Sequence, residues 1–327
     1  MLLSIVVLSY NRPAQIERIL EGFVGVESED FNVVIKDDVS PRLPEIRAVV
    51  ESYNSKLNID VSLHVNEKNL GYDRNLLDAF NIVDSHYVFL LSDDDYIIGS
   101  SIPALLETLQ DKKYDLYFTP YIANGSVCRS ISGDYKFERF ADVIYNSILF
   151  SGLIFGRKRT ILLDRDERFL SNCIYSQVYL ASLLVYQQNA YGRSPGNLLV
   201  LGGDGENFFG KNQAAVDSDV LADRSKVTSD LDYQKYLLRV VDAIASKTNP
   251  LVKKLFWREY AKRLIAYGLK VRALGIKPYV TFLRHYLRSD SQRRLALALT
   301  FLMIALIPGF MSRKIYMFGV VQLRKAG

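Results

Sequence analysis

Residues 87–95 read Tyr87-Val88-Phe89-Leu90-Leu91-Ser92-Asp93-Asp94-Asp95. The first five are an unbroken apolar run, rich in aromatic and β-branched side chains and of strand length. That is the signature of a strand covered on both faces, as in a parallel sheet. The run stops at three consecutive carboxylates, so several negative charges gather where the strand ends. Left alone they would repel and raise one another's pKa.

Working outward, the same pattern repeats. Residues 3–9 are a continuous apolar run ending in Ser9-Tyr10-Asn11-Arg12, and Pro13 then stands where a helix opens, with Ile16, Ile19, Leu20 and Phe23 at helical spacing. Residues 31–35 form a second strand run, ending in Lys36-Asp37-Asp38. Helices are expected over 44–53, 72–83 and 102–109, and strands over 59–65 and 115–119. Strands alternating with helices imply crossover units, and hence a mostly parallel sheet flanked by helices. Such sheets bind ligands at the carboxyl ends of their strands. The polar clusters at 9–12, 37–38, 66–75 and 93–95 all fall at those ends. Further on, 149–156 and 197–201 read as strands and 174–186 as a helix. The stretch from Gly202 to about residue 212 is glycine-rich and is a candidate lid over a bound ligand. After about residue 217 the pattern is helical only, over 217–247, 250–269 and 277–307. The chain therefore divides into an α/β domain over 1–215 and a basic helical region over 216–327.

A divalent cation resolves the crowding at residues 93–95. Magnesium prefers one or two protein carboxylates together with phosphate oxygens and water, and a metal on a diphosphate neutralises a departing nucleotide. Asp38 could accept hydrogen bonds from a base or a ribose, and Arg74, near the start of a helix at the same edge, suits contact with phosphate.

Taken together, Ser9-Tyr10-Asn11-Arg12, the strand-end Asp37-Asp38, Asn69-x-Gly71 running into Arg74-Asn75, and Ser92-Asp93-Asp94-Asp95 resemble the family 2 glycosyltransferases, which have the GT-A fold. The resemblance spans roughly residues 1–120, in order and spacing. It implies a nucleotide-sugar donor held by Ser9, Tyr10, Arg12, Asp38, Arg74, Asp93 and Asp94. It also implies Mg²⁺ or Mn²⁺ at Asp93 and Asp95, with Asp95 the direct ligand. The segment 69–75 is shorter than usual and is similar to a subgroup that includes abequosyltransferases and other O-antigen sugar transferases. That implies a hexose or deoxyhexose, with a CDP-linked dideoxyhexose as one candidate, passed to a lipid-linked surface glycan. Many members place an acid at the start of a helix after the acceptor strand, where it serves as base. The matching region here, 171–177, has none, so Asp166 and Glu167 just before it are the candidate catalytic bases, with Asp204 and Glu206 further along. Two other readings fit parts of the pattern. One is a nucleotidyltransferase, although residues 9–13 are not a glycine-rich phosphate loop. The other is a catalytically inactive, membrane-bound scaffold on a transferase fold.

Charge divides the chain as well. Residues 251–327 hold 16 Lys and Arg against two acids, a net +14 that leaves −9 on the first 250 of the 327 residues. Within them, residues 295–311 are 17 positions without a charge, interrupted by Pro308-Gly309. A bilayer-spanning helix needs about 20 apolar residues. The stretch is therefore read as a helix lying in a membrane surface, with Lys and Arg meeting anionic headgroups. The expected location is peripheral, on the cytoplasmic face of a bacterial inner membrane. Nucleic acid is not an expected partner, because long apolar runs suit a phosphate-tracking surface poorly. Cys128 and Cys173 form no CxxC and argue against a zinc site or a disulfide framework. No basic segment precedes the run at 2–9, which is read as a buried strand rather than an export signal.

Overall fold

The computed structural model describes residues 1–123, 126–129, 131, 134–196, 198–202, 224–288 and 294–325. Strands and helices alternate at first: β1 (Leu3–Ser9), α1 (Pro13–Glu21), β2 (Glu27–Asp37), α2 (Leu43–Asn54), β3 (Asn58–Val65), α3 (Tyr72–Asp78), β4 (Tyr87–Ser92), β5 (Tyr96–Ile97) and α4 (Ile102–Gln110). Next come β6 (Leu116–Phe118), β7 (Tyr121–Ala123), β8 (Ser126–Cys128), α5 (Phe140–Asn146), β9 (Leu153–Gly156), α6 (Arg157–Ile161), α7 (Glu167–Leu170), α8 (Ser176–Gln188), β10 (Gly192–Arg193) and β11 (Leu199–Val200). The helices α9 (Arg224–Lys247), α10 (Leu251–Ala273), α11 (Ile276–Arg288), α12 (Arg294–Leu306) and α13 (Gly309–Lys325) follow. The chain forms two compact units, Met1–Gly205 with Ala243–Asn249, and Glu206–Asp242 with Pro250–Gly327.

The first unit is built on a seven-stranded sheet in the order β10-β6-β9-β4-β1-β2-β3. β1 pairs in parallel with both β2 and β4, and β2 with β3. Only β9 runs against its neighbours β4 and β6. β1 is buried at every position, as expected of a strand covered on both faces. Ile16, Ile19 and Leu20 of α1 pack with Ile46 and Val50 of α2 and with Phe31 and Val33 of β2 in one apolar core. At the burial worth of roughly 1.5–3 kcal/mol per large apolar side chain, this layer dominates the unit's stability. A second, four-stranded sheet, β5-β11-β7-β8, carries the chain back toward β4.

Two expected elements are shorter than their hydrophobic spacing implied. The helix over 72–83 stops at Asp78, yet Leu76, Leu77, Phe80 and Val83 are all buried as their spacing requires. The stop is local: Asn81 turns back on Asp78, whose own carboxylate is pulled to Lys36 at 3.0 Å. The strand over 149–156 starts only at Leu153, because Gly152 turns the chain with φ +80°.

In the second unit, Phe256 and Leu264 of α10, Tyr279 and Phe282 of α11, and Phe301 and Ile304 of α12 are buried. Phe301 sits edge-on to Phe282 and Tyr286 at 5.0 and 4.8 Å. The Tyr279 hydroxyl donates to the Phe301 carbonyl at 2.6 Å. Of the region read as one helix over 277–307, the described residues form α11 and α12, and α13 follows beyond Pro308.

Gly192 marks where β10 closes on β6. A Cβ there would lie 2.3 Å from the ring of Tyr117, which is buried and cannot retreat. Gly192→Ala should therefore cost about 1–3 kcal/mol, as overpacked cores do, and show as a lowered Tm.

Candidate active site

β2 and β4 flank β1 on opposite sides, with Asp37 opposite Ser9 and Ser92 opposite Leu8. The order of strands reverses here, which opens a crevice at their carboxyl ends. Residues 9–12, 37–38 and 92–95 all leave the sheet at this crevice.

Asp93 is buried and doubly held. One carboxylate oxygen takes the Tyr10 N–H at 3.0 Å and the other the Arg12 guanidinium at 3.0 Å. The same Arg12 nitrogen lies 3.1 Å from Asp94, whose carboxylate is about a third exposed. Arg12 is itself buried, so the pair is largely desolvated. Burial pushes the Asp93 carboxyl up to about 7, with Arg12, the Tyr10 N–H and Ser9 pulling the other way. Asp95 is also buried, accepting from the Gly202 N–H at 3.2 Å. Burial raises it to about 6, and the Ser151 hydroxyl opposes the rise. Gly202 must be glycine, because a Cβ would lie 1.6 Å from the Asp94 carbonyl.

The structure thus brings Ser9, Tyr10, Arg12, Asp93, Asp94 and Asp95 together. They fit a divalent cation. Asp93 and Asp95 are buried carboxylates whose pKa values are raised by that burial, and Asp94 lies between them in the sequence. Among the described residues no group of three or more Asp, Glu, His or Cys is placed to hold a metal alone. One or two carboxylates completed by a diphosphate is the mode that suits magnesium.

Asp38 is nearby but engaged. Its carboxylate accepts from the N–H groups of Leu70 at 2.7 Å and Gly71 at 2.9 Å, and from Asn66 at 2.7 Å. It therefore acts as a clamp on the loop that opens α3. Lys36, fully buried, continues the network through Asn66 and Asp78, and Asn66 also donates to Asn75 at 2.8 Å. Val39, next to Asp38, has φ +61°, a strained value for a β-branched residue. Strain of this kind collects where surrounding contacts over-determine the backbone, often at functional sites. Arg74 stands exposed on the first turn of α3, between the buried Asp73 and Asn75.

Asp166 and Glu167 have other partners. Asp166 caps α7 by accepting the Phe169 N–H at 3.0 Å, and Glu167 pairs with Arg165 at 2.6 Å. Both side chains are exposed, and these contacts are not with the 93–95 cluster. The glycine-rich segment beyond Gly202, with Asp204 and Glu206, lies outside the described residues.

Two participants went unread in the sequence. The start of α8, acid-free in its own sequence, is supplied with a carboxylate by α3. Asp73 accepts from the N–H groups of Cys173 at 2.9 Å, Ile174 at 2.8 Å and Ser176 at 3.4 Å. Ile174 is held there at φ +67°. Arg129, buried, donates to the carbonyls of Thr119, Leu149 and Ser151. It thereby fixes the turn whose Ser151 hydroxyl faces Asp95. Burial lowers the Arg129 pKa to about 10 against the pull of Tyr121 and Asp95. Neither role leaves a periodic or spaced signal in the sequence, since each depends on contacts across the fold.

The profile of glycosyl transferase family 2 matches residues 4–180. No curated protein matches the sequence. Among solved structures, residues 1–349 of TarS from S. aureus, in complex with UDP, are similar at 16% identity and a TM-score of 0.58, over 93% of this chain and 88% of that one. The mannosyltransferase PcManGT from Pyrobaculum calidifontis is similar at 14% identity and a TM-score of 0.54, over 96% of this chain and 83% of that one. These likenesses establish the shared α/β fold.

Removing Arg12 strands a buried carboxylate. Arg12→Ala should cost about 3–5 kcal/mol of stability, and Mn²⁺ should raise the Tm of this variant more than that of the wild type. The pH dependence has a definite sign. Both carboxyls are raised above their ordinary 3.8, so the folded state holds more protons than the unfolded one between there and about 6 to 7. Through that window this pair makes metal-free stability fall as pH rises. A cation competes with the same protons, so Mn²⁺ affinity measured by calorimetry should drop as pH falls through 7 and below 6.

Proposed function

Since the chain belongs to glycosyl transferase family 2, and is therefore a nucleotide-sugar-dependent glycosyltransferase, we propose that it moves a hexose or deoxyhexose to a lipid-linked surface glycan. The transfer depends on a divalent metal and takes place at the cytoplasmic face of a bacterial membrane. The observation that carries the donor half is the buried carboxylate pair, Asp93 and Asp95, at the crevice beside β1. TarS has been solved with UDP and with UDP-GlcNAc, and PcManGT with GDP-Man and Mn²⁺. We read the donor of this chain as a molecule of the same kind. The abequosyltransferase-like segment 69–75 supports a CDP-linked dideoxyhexose among the candidates.

In this reading Asp95 is the direct metal ligand, and the metal when bound neutralises the departing diphosphate. Asp93 holds Arg12 and the Tyr10 backbone in place, so that Ser9 and Tyr10 face the nucleoside. Asp38 shapes the same pocket from behind by fixing residues 70–71. Arg74, exposed at the head of α3, is free to meet the diphosphate. Asp166 and Glu167 stand as the candidate bases in this reading, and each would have to leave its present partner, a helix cap for Asp166 and a surface ion pair for Glu167.

The test is a thermal-shift and hydrolysis panel of CDP-, UDP-, GDP- and dTDP-sugars, each with and without Mn²⁺. One nucleotide should stabilise the protein only with metal, by about 2.7 kcal/mol at a hundredfold excess over Kd. Asp95→Asn should abolish the metal-dependent part and lower turnover on the order of a hundredfold or more. No shift with any donor, in folded protein, would favour the inactive scaffold instead.

A further inference from the structure

The helix α12 is apolar on both sides. Leu297, Phe301 and Ile304 are buried on one face. On the other, Leu299, Leu302, Met303 and Leu306 recur at helical spacing and are 54%, 51%, 66% and 79% exposed. The pattern continues past Pro308 into α13, where Phe310, Met311, Ile315, Met317 and Phe318 are all at least 45% exposed. Single exposed apolar residues are ordinary, but a contiguous stripe of this length marks an interaction surface. A helix apolar all round is one that is buried on all sides in its working state.

Charge selects what covers it. Residues 251–327 carry +14. Arg313 and Lys314 follow Phe310 and Met311 after one residue, Ser312, and are exposed, as are Lys277 and Arg284 on α11. Arg272 donates to the Ala305 carbonyl at 3.3 Å, at the junction of α12 and α13. A second copy would bring one strongly basic region, with the exposed Arg313 and Lys314, against another, which repels. Nucleic acid would satisfy the cations but leave the apolar stripe in water. An anionic lipid surface satisfies both, with acyl chains for the stripe and headgroups for the cations. Spanning is excluded for α12 by length: 13 residues at 1.5 Å each reach about 20 Å, against a hydrocarbon core of about 30 Å. Among the described residues no helix is long and apolar enough to cross a membrane.

We propose that the exposed face of α12, continued by the first turns of α13, is a docking surface that lies in the headgroup layer of an anionic bilayer. Leu302, Met303, Leu306 and Phe310 enter the apolar boundary, while Arg313 and Lys314 stay with the lipid phosphates. The proposal stands on the second unit alone and does not depend on the donor chemistry.

The experiment is co-sedimentation of the full chain with phosphatidylcholine vesicles, with and without phosphatidylglycerol, at low and high salt. Wild type should bind the anionic vesicles, and less so as salt rises. Leu302→Ser with Met303→Ser changes only exposed side chains and should weaken partitioning on the order of tenfold or more. Arg313→Gln with Lys314→Gln should weaken binding to anionic vesicles and flatten the salt dependence. The donor-induced thermal shift should be the same in both variants as in wild type, which separates failure of docking from failure of the transferase site. The proposal is overturned if wild type binds no vesicle, if it binds neutral and anionic vesicles equally, or if the Leu302/Met303 variant binds as wild type does. It is equally overturned by a concentration-dependent dimer that the same variant abolishes in protein that does not bind lipid.

Discussion

Arg12 lies buried between Asp93 and Asp94, and much of the first unit is arranged around that contact. Burying carboxylates at one strand end is costly without a positive partner, and burying a guanidinium is costly without acceptors that satisfy it. The pair fixes the first residues after β1 against those after β4, across the point where the sheet's order reverses. Tyr10 is drawn in through its backbone, Asn11 through the Ser40 hydroxyl at 2.7 Å, and Ser40 through Asp37 at 2.8 Å. The crevice is thus closed at its base by a relay of polar contacts from β4 through β1 to β2.

The ion pair leaves the site with a net negative charge. Three aspartates meet one arginine at the strand ends, and burial raises the pKa values of Asp93 and Asp95. A metal that arrives with a diphosphate would bring positive charge to the same place as the negative charge it must stabilise. Arg129 and Ser151 maintain this from the far side, by holding the turn that faces Asp95. Two strained β-branched residues, Val39 and Ile174, stand beside carboxylates that hold neighbouring backbone in place, Asp38 and Asp73. The loops around the crevice are therefore over-determined by buried acceptors rather than left to their own preferences.

The second unit follows a different logic. Its inner packing is aromatic, with Phe301 against Phe282 and Tyr286 and with Gly268 close enough that a Cβ would meet Phe301 at 2.9 Å. Its outer face on α12 repeats the apolar composition and is exposed among the described residues. A sequence apolar all round has one face for its own core and one for something else, and the surrounding cations specify what that is.

Read alone, the sequence shows the alternation of strands and helices, the buried character of β1 and β4, and the gathering of polar residues at one sheet edge. These follow from local patterns: continuous apolar runs, helical spacing, proline at a helix start and glycine at turns. It also announced the charge division and the uncharged stretch near the C-terminus, which are matters of composition. How the carboxylates are used emerges once the chain is folded. Asp38 reads as a free strand-end acid but is spent on Leu70 and Gly71, and Asp73 reads as a helix residue but serves the start of α8, a hundred residues on. Asp166 and Glu167 read as candidate bases and have a helix cap and a surface ion pair as partners. The antiparallel entry of β9 and the clamp made by Arg129 were likewise out of reach. A side chain's role is fixed by which donors lie within about 3 Å of it. Those donors come from distant stretches of chain, whose approach no local periodicity encodes.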